Sequence, residues 1–199
     1  PGACWTFDEN ADGYLRAEGC GALVLQRLED VTSGVTAVGN TSSNPPPANA
    51  QSSHPHGAYA VVRSVRIAQD GRSASLTAPN GLAQEQLLND ALADARIDPS
   101  QVDYLETHGT GTPLGDPVEC AAAARVLVTN RSAHQKVCFG GVKSSVGHLE
   151  VAAGMAGTIN ALNVLGHELA PPNAGLRNIN PKVSDCLLYT SPSPRDSMT

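Results

Sequence analysis

Two histidines of this chain each follow an apolar run and lie beside a glycine-rich turn. His108 comes after residues 102–106 and precedes Gly-Thr-Gly-Thr-Pro, and His148 comes after residues 137–142 and a second turn. Loops at the carboxyl ends of strands carry ligands and catalytic groups in α/β sheets, so we expect both histidines in one site. Two imidazole N–H groups that converge on one point would stabilise a carbonyl oxygen as negative charge develops on it. The pair predicts an oxyanion or enolate site.

A lysine accompanies the second histidine. Lys143 lies on the same turn as His148, where its charge would raise the local potential and orient an imidazole or a water molecule. A buried lysine normally needs a carboxylate partner, and Glu150 and Asp116 are the candidates. Hydroxyl and backbone donors in the first turn would be open to a linear, amide-bearing ligand; its threonines are Thr107, Thr110 and Thr112.

The sequence gives weaker support for other roles of its histidines and of the glycine-rich turn. A single histidine at a strand end is commonly a packing or turn residue, and Gly-Thr-Gly-Thr-Pro lacks the Gly-Lys-Ser/Thr ending of a phosphate loop. Zinc binding by His108 and His148 would need a third ligand that no suitable spacing supplies. His54 and His56 have no acidic or cysteine partner nearby, which favours polar surface residues. No metal is therefore expected.

Composition narrows the class of protein. The chain has 199 residues, 41% of them hydrophobic, and a formal net charge of −6, which argues against a nucleic-acid partner. No apolar run approaches the ~18 residues of a membrane span. The five cysteines are odd in number and widely spaced, so a reducing compartment, cytoplasmic or plastid, is favoured over a disulfide framework. The chain starts without methionine, so we expect a piece of a longer protein.

Strand and helix patterns alternate along the chain. Apolar runs predict strands at 18–25, buried on both faces, and at 60–67, 102–106 and 137–142. Helices are predicted at 84–95, at 118–128 with Asp116 as N-cap before Pro117, and at 147–165, where small residues allow tight packing. The alternation predicts an α/β fold with a layered sheet. A polar loop insertion is expected at about 33–57, and a disordered or non-native tail at 185–199.

Two long motifs carry a family resemblance. Residues 107–119 read Thr-His-Gly-Thr-Gly-Thr-Pro-Leu-Gly-Asp-Pro-Val-Glu, and residues 142–150 read Val-Lys-Ser-Ser-Val-Gly-His-Leu-Glu. They resemble the two histidine motifs of β-ketoacyl synthases, in particular the ketosynthase domain of type I polyketide synthases. Further similar stretches follow in the same order along the chain: residues 7–30, 68–72, 76–81 and 171–181. Several long motifs in order are specific, unlike a lone glycine pattern.

The resemblance implies a layered thiolase-like α/β fold, with a mixed sheet and buried helices. Residues 1–184 would be a partial ketosynthase domain, formed by the latter part of its N-terminal half and much of its C-terminal half. The implied parent is a homodimer that works with an acyl carrier protein. The phosphopantetheine arm of that carrier would bring the substrates, and no cofactor would be bound directly.

The resemblance also implies an activity, decarboxylative Claisen condensation in polyketide or fatty acid biosynthesis. In the family a cysteine takes an acyl group, and a malonyl-type thioester loses carbon dioxide to give an enolate that attacks it. His108 and His148 would hold the extender's thioester carbonyl, and Lys143 would support the pair. Thr110 and Thr112 look like the family's contacts to the pantetheine arm.

The remaining implied site residues are acidic. Asp116 resembles the acidic residue that follows the first histidine in the family, and we expect it and Glu150 to support the site.

The cysteines depart from the family pattern. The family's nucleophile lies in a Cys-Ser-Ser turn, and this chain contains no such motif. We expect its cysteines to be small buried or half-buried residues: Cys4, Cys20, Cys120 and Cys138. The chain is therefore expected not to condense substrates by itself.

Two alternatives stay open. A non-elongating or scaffolding thiolase-like protein would keep the fold without turnover, although the presence of His108 counts against it. A non-catalytic interaction protein could instead bind through the insertion at 33–57, and deletion of that insertion would separate a binder from an enzyme.

Overall fold

A computed structural model of the chain describes residues 2–32, 58–73, 78–129, 131 and 135–187. The predicted insertion at 33–57, with His54 and His56, lies outside these residues, as do residues 188–199 of the predicted tail. Within the described residues two strands are assigned, β1 (Tyr104–Glu106) and β2 (Cys138–Gly140). The α-helices in chain order are α1 (Leu28–Thr32), α2 (Gly81–Ala95), α3 (Gly115–Leu127), α4 (Lys143–Val146), α5 (Ala153–His167) and α6 (Pro181–Leu187).

The strands β1 and β2 form a parallel pair. Leu105 lies opposite Phe139, and the backbone N–H of Thr107 extends the pairing by donating to the carbonyl of Gly140 over 2.8 Å. Parallel strands need a long crossover, and α3 lies within it. Because both strands end at the same edge, the loops that carry His108 and His148 start side by side. The predicted strands at 102–106 and 137–142 are confirmed, in shorter form.

Helix α3 supplies much of the core. Its small side chains let neighbouring elements approach, and five of its residues are buried: Asp116, Cys120, Ala122, Ala123 and Leu127. Its apolar side chains join Phe7, Val137, Phe139, Leu176 and Val183 in one cluster. The prediction of a buried, alanine-rich helix is confirmed.

The predicted N-cap of this helix is wrong. Leu114 precedes the first helical residue, and no side chain caps the helix there. Asp116 and Pro117 lie within the first turn, where a proline sacrifices no intrahelical hydrogen bond. The carboxylate of Asp116 is thereby free to bind other parts of the backbone.

The helix predicted from residue 147 begins later, at Ala153. Gly147 has φ +75° and Glu150 has φ +53°, both left-handed values that interrupt a right-handed helix. The short α4 ends before Gly147, and a 3₁₀ turn (Glu150–Ala152) leads into α5. The predicted close packing is present at Gly157, where a Cβ atom would lie 3.2 Å from Cγ of Glu106.

The predicted strands at 18–25 and 60–67 are not strands in this structure. Neither segment is assigned to a strand or helix, and apolar side chains in both face solvent, with Val24 97% and Ile67 92% exposed. An isolated segment leaves its backbone N–H and C=O groups without a ladder, so apolar residues alone do not make it a strand. The prediction that 18–25 is buried on both faces is wrong here.

Two boundaries differ by a few residues. Helix α2 starts at Gly81, three residues before the prediction, because the side chain of Asn80 accepts N–H groups from Leu82 and Ala83 over 3.1 and 3.3 Å. Helix α6 runs past the predicted tail boundary at 185, and Val183 anchors it in the core. Within the described ranges, no helix combines the length and apolar character that crossing a bilayer requires.

Candidate active site

The loop after β1 positions His108 through a glycine-rich turn. Gly109 and Gly111 adopt φ values of +48° and +76°, which glycine reaches without a steric penalty. Glu119 of α3 closes the turn, since its two carboxylate oxygens accept the backbone N–H groups of His108, over 2.6 Å, and of Gly109, over 2.9 Å. The position of His108 therefore depends on a carboxylate eleven residues further along the chain.

Residues of the amino-terminal segment also hold this turn in place, through hydrogen bonds and close packing. Thr6 donates its hydroxyl to the carbonyl of Gly109 over 2.6 Å. Asp116 accepts the N–H groups of Phe7 and Gly111 over 2.9 and 3.0 Å. A Cβ atom on Gly111 would lie 2.7 Å from the backbone nitrogen of Trp5, so only glycine permits this approach.

Burial and hydrogen bonding act in opposite directions on Asp116. The side chain is 1% exposed, and its burial raises the pKa of the carboxyl group, although the backbone N–H groups it accepts favour the ionised form. The same balance holds for Glu119, whose pKa is also raised by burial. The histidine turn is thus assembled around one buried and one half-buried acidic side chain.

His148 follows α4 and is fixed by its backbone and its ring. Its N–H donates to the carbonyl of Leu15 over 2.8 Å, and its own carbonyl accepts the N–H of Ala17 over 2.9 Å. The ring nitrogen Nδ1 accepts the N–H of Glu150 over 2.9 Å. In the neutral ring the proton therefore resides on Nε2, which is left as a hydrogen-bond donor. The ring of Tyr14 packs at a centroid distance of 5.0 Å.

The two histidine rings meet, as the sequence predicts. Their centroids are 5.5 Å apart, and their planes cross at 86°. His108 is open to solvent on one side, but the surrounding chain desolvates its ring and lowers its pKa, and the charge of Lys143 lowers it further. Burial and then Lys143 also lower the pKa of His148. Both rings are therefore held in the neutral form near pH 7, in which imidazole donates one hydrogen bond.

Lys143 accompanies the pair and is only 5% exposed. Burial lowers its pKa, and the negative charges of Glu119 and Glu106 oppose this shift most strongly. Of the two predicted partners, Asp116 contributes less than these two glutamates. The other, Glu150, forms an ion pair with Arg16 in which Nε and Oε1 are 3.2 Å apart.

The two threonines of the first turn lie next to each other. Thr110 is buried, and its hydroxyl oxygen is 3.3 Å from that of Thr112. The hydroxyl of Thr112 also accepts the N–H of Gly115 over 3.1 Å, at the start of α3. Their contact with a pantetheine arm stays a prediction.

The cysteines have different environments. Cys4 and Cys120 are buried and Cys138 is half-buried, as predicted, whereas Cys20 is exposed because its segment forms no strand. Across the described ranges, no three His, Cys, Asp or Glu side chains are grouped so that they could hold a metal ion.

Sequence reasoning missed three residues that shape the site. Glu119 could have been found, because it lies three positions after Asp116 and thus on the same face of a helix. The apolar run places Glu106 at the end of a strand and gives no sign of its role. Asn173 accepts the N–H of Gly141 over 2.8 Å from a segment 32 residues away, and no local pattern indicates that contact.

The geometry defines a class of site. Two neutral imidazoles beside a buried lysine, at the carboxyl ends of parallel strands in an α/β protein, can stabilise negative charge on a carbonyl oxygen. The β-ketoacyl synthase C-terminal domain matches residues 59–177, and the β-ketoacyl synthase N-terminal domain matches residues 1–31. The chain belongs to the β-ketoacyl synthase family.

Similar proteins agree with this assignment. The chain is 36% identical over 184 residues to a phenolphthiocerol/phthiocerol polyketide synthase of Mycobacterium tuberculosis, covering 92% of this chain and 7% of that protein. It is 39% identical over 182 residues to the 6-methylsalicylic acid synthase of Penicillium expansum, covering 92% of this chain and 9% of that enzyme. The chain thus spans less than a tenth of the length of these relatives.

A solved structure extends the agreement to the fold. An oxazolomycin ketosynthase domain from Streptomyces albus superimposes with a TM-score of 0.78 at 33% identity, covering 95% of this chain and 29% of that one. The predicted thiolase-like fold is therefore confirmed, and the chain is part of a type I polyketide synthase ketosynthase domain.

Proposed function

We propose that this chain is the histidine-bearing part of an enzyme that elongates acyl thioesters on an acyl carrier protein by decarboxylative Claisen condensation. The observation that carries the proposal is the pair of histidine rings, 5.5 Å apart, beside the buried Lys143. The polyketide synthases to which the chain is similar support the substrate class, and the carrier's phosphopantetheine arm is the expected route of delivery.

The first step is loss of carbon dioxide from a malonyl-type thioester. The bond between the α-carbon and the carboxylate breaks, and its electron pair moves into the thioester, where negative charge develops on the carbonyl oxygen. Nε2–H of His148 and the neutral ring of His108 donate to that oxygen. A neutral imidazole can make this hydrogen bond because it retains one N–H.

The second step forms the new carbon–carbon bond. The enolate carbon attacks the carbonyl of an acyl thioester, and the thiolate leaves as the carbonyl is restored. In the family a cysteine holds that acyl group, and we propose that it comes from a part of the enzyme outside these 199 residues. Lys143 assists the first step because its positive charge, together with burial, favours the neutral form of both histidines and complements the developing oxyanion.

The test is replacement of each histidine in the full-length enzyme that contains this chain. His108→Ala and His148→Ala should each slow decarboxylation of a malonyl carrier protein by about 10²–10³-fold, the cost of losing one oxyanion donor. Carbon dioxide release measures the rate, and circular dichroism checks the fold. His167→Ala, at the exposed end of α5, is the matched control and should retain the parent rate. An undiminished rate in the two site variants would refute the proposed roles.

A further inference from the structure

Glu106 is the last residue of β1, two positions before His108, and both oxygens of its carboxylate accept hydrogen bonds. Oε1 accepts the backbone N–H of Val142 over 2.7 Å. Oε2 accepts the hydroxyl of Tyr104 over 2.5 Å and the amide Nδ2 of Asn160 over 2.7 Å. One side chain thus joins strand β1, the turn after β2 and helix α5.

The contact with Val142 fixes the start of α4. Val142 immediately precedes Lys143, and the N–H of Ser145 donates back to the carbonyl of Val142 over 2.9 Å. The carboxylate of Glu106 therefore binds the backbone at Val142, the first residue of the segment that carries Lys143 (residues 142–146, the lysine turn). A shift of Glu106 would move the backbone that carries Lys143.

Two glycines make room for this arrangement. A Cβ atom on Gly157 would lie 3.2 Å from Cγ of Glu106, so α5 can approach the carboxylate closely. A Cβ atom on Gly140 would overlap the hydroxyl oxygen of Tyr104. Asn160 adds a second contact, since its Nδ2 also donates to that hydroxyl over 3.0 Å. Because Gly140 and Gly157 have no side chains, the backbone at both positions can lie close to Tyr104 and Glu106 and hold them in one geometry.

The titratable groups that face Lys143 come from several elements. Glu106 lies on β1, Glu119 and Asp116 lie on α3, and the thiol of Cys4 lies in the amino-terminal segment. Lys143 also acts on the two histidine rings, because its positive charge lowers the pKa of each ring. Burial, followed by the hydrogen bond to Glu106, raises the pKa of Tyr104 well above its usual range, so the phenol remains a donor to the carboxylate.

We infer that Glu106, held by Tyr104 and Asn160, is a positioning residue that sets both the place and the charge of Lys143 for decarboxylation. The inference rests on the proposed function. It adds to the site a carboxylate that acts through the lysine turn and does not need to touch substrate.

The experiment uses Glu106→Gln in the full-length enzyme, with malonyl carrier protein as the probe. The amide keeps the size of the side chain and an acceptor for Val142, but it removes the negative charge and the second acceptor oxygen, to which Tyr104 and Asn160 donate. We expect kcat for decarboxylation to fall about 10-fold, with KM little changed, because the lost interaction acts in the transition state. The alkaline limb of the pH profile should move to lower pH, since Lys143 loses an anionic neighbour.

Controls separate this inference from simple destabilisation. Glu168→Gln makes the same chemical change at an exposed position after α5 and should leave both kcat and the profile unchanged. Tyr104→Phe removes one hydrogen bond to Glu106 but keeps the charge, so kcat should fall about 2- to 5-fold, a loss of about 0.5–1 kcal/mol, while the alkaline limb stays in place. If Glu106→Gln does not fold, the test depends on Tyr104→Phe. An unchanged kcat in the Tyr104→Phe variant overturns the inference.

The outcomes for the two proposals differ. If His108→Ala abolishes decarboxylation and Glu106→Gln leaves kcat and the pH profile unchanged, the inference about Glu106 is overturned and the proposed function stands. If His108→Ala retains the parent rate, the proposed function itself fails, and the inference about Glu106 falls with it.

Discussion

The turns that follow β1 and β2 and the segments at 18–25 and 60–67 have opposite surroundings. Thr110 and Lys143, which follow the two strands, are 6% and 5% exposed, whereas Val24 and Ile67 in the segments are 97% and 92% exposed. In the turn after β1, carboxylates of α3 accept the backbone N–H groups of Gly109 and Gly111. Side-chain acceptors therefore order the backbone of this turn, whereas apolar residues alone do not make a strand of a segment that pairs with no strand among the described residues.

The largest expected effect comes from removing a carboxylate that orders the loops. Asp116→Ala leaves the buried N–H groups of Phe7 and Gly111 without their acceptor, so we expect a loss of about 3 kcal/mol in the free energy of unfolding. Chemical denaturation of the 199-residue chain measures this value. Asp103→Ala, at an exposed position before β1, is the control and should change it by less than about 0.5 kcal/mol. Equal losses in both variants would show that Asp116 does not hold the loops.

A smaller effect tests the electrostatics of the loops. Lys143→Met removes a positive charge beside both rings, so the pKa values of His108 and His148 should rise toward the ordinary histidine value. Titration of the imidazole resonances by NMR follows each ring. Lys136→Met removes the same charge at an exposed position and should leave both values in place. Unchanged histidine pKa values in Lys143→Met would contradict the proposed role of the lysine.

The smallest effect is expected in the exposed segments. Ile67→Ser should change the free energy of unfolding by no more than about 0.5 kcal/mol, because the side chain is already exposed to water. Leu127→Ala in α3, where the side chain is 2% exposed, should cost about 3 kcal/mol by comparison. Denaturant unfolding of both variants gives the two values. Similar losses in the two variants would mean that the segment around Ile67 is packed in solution and that the two regions do not differ in burial.

Local patterns in the sequence were sufficient for part of the fold. Apolar runs predicted the two paired strands, and the spacing of apolar and small residues predicted helices α2, α3 and α5, because each pattern reports one buried face of a local element. The predictions for 18–25 and 60–67 failed since a strand also needs a partner, which periodicity does not reveal. The start of α5 was missed because the left-handed backbone at Glu150 has no glycine to mark it.

The sequence by itself indicated the residues of the candidate site: two histidines and a lysine in motifs of a β-ketoacyl synthase, at the ends of apolar runs. Tertiary structure decided which side chains hold them. The bond from Phe7 to Asp116 joins residues 109 positions apart, and Glu106 reaches the lysine turn across 36 positions. Contacts of this kind depend on the parallel pairing of β1 with β2 and on the packing of α3 and α5, and no local spacing encodes them.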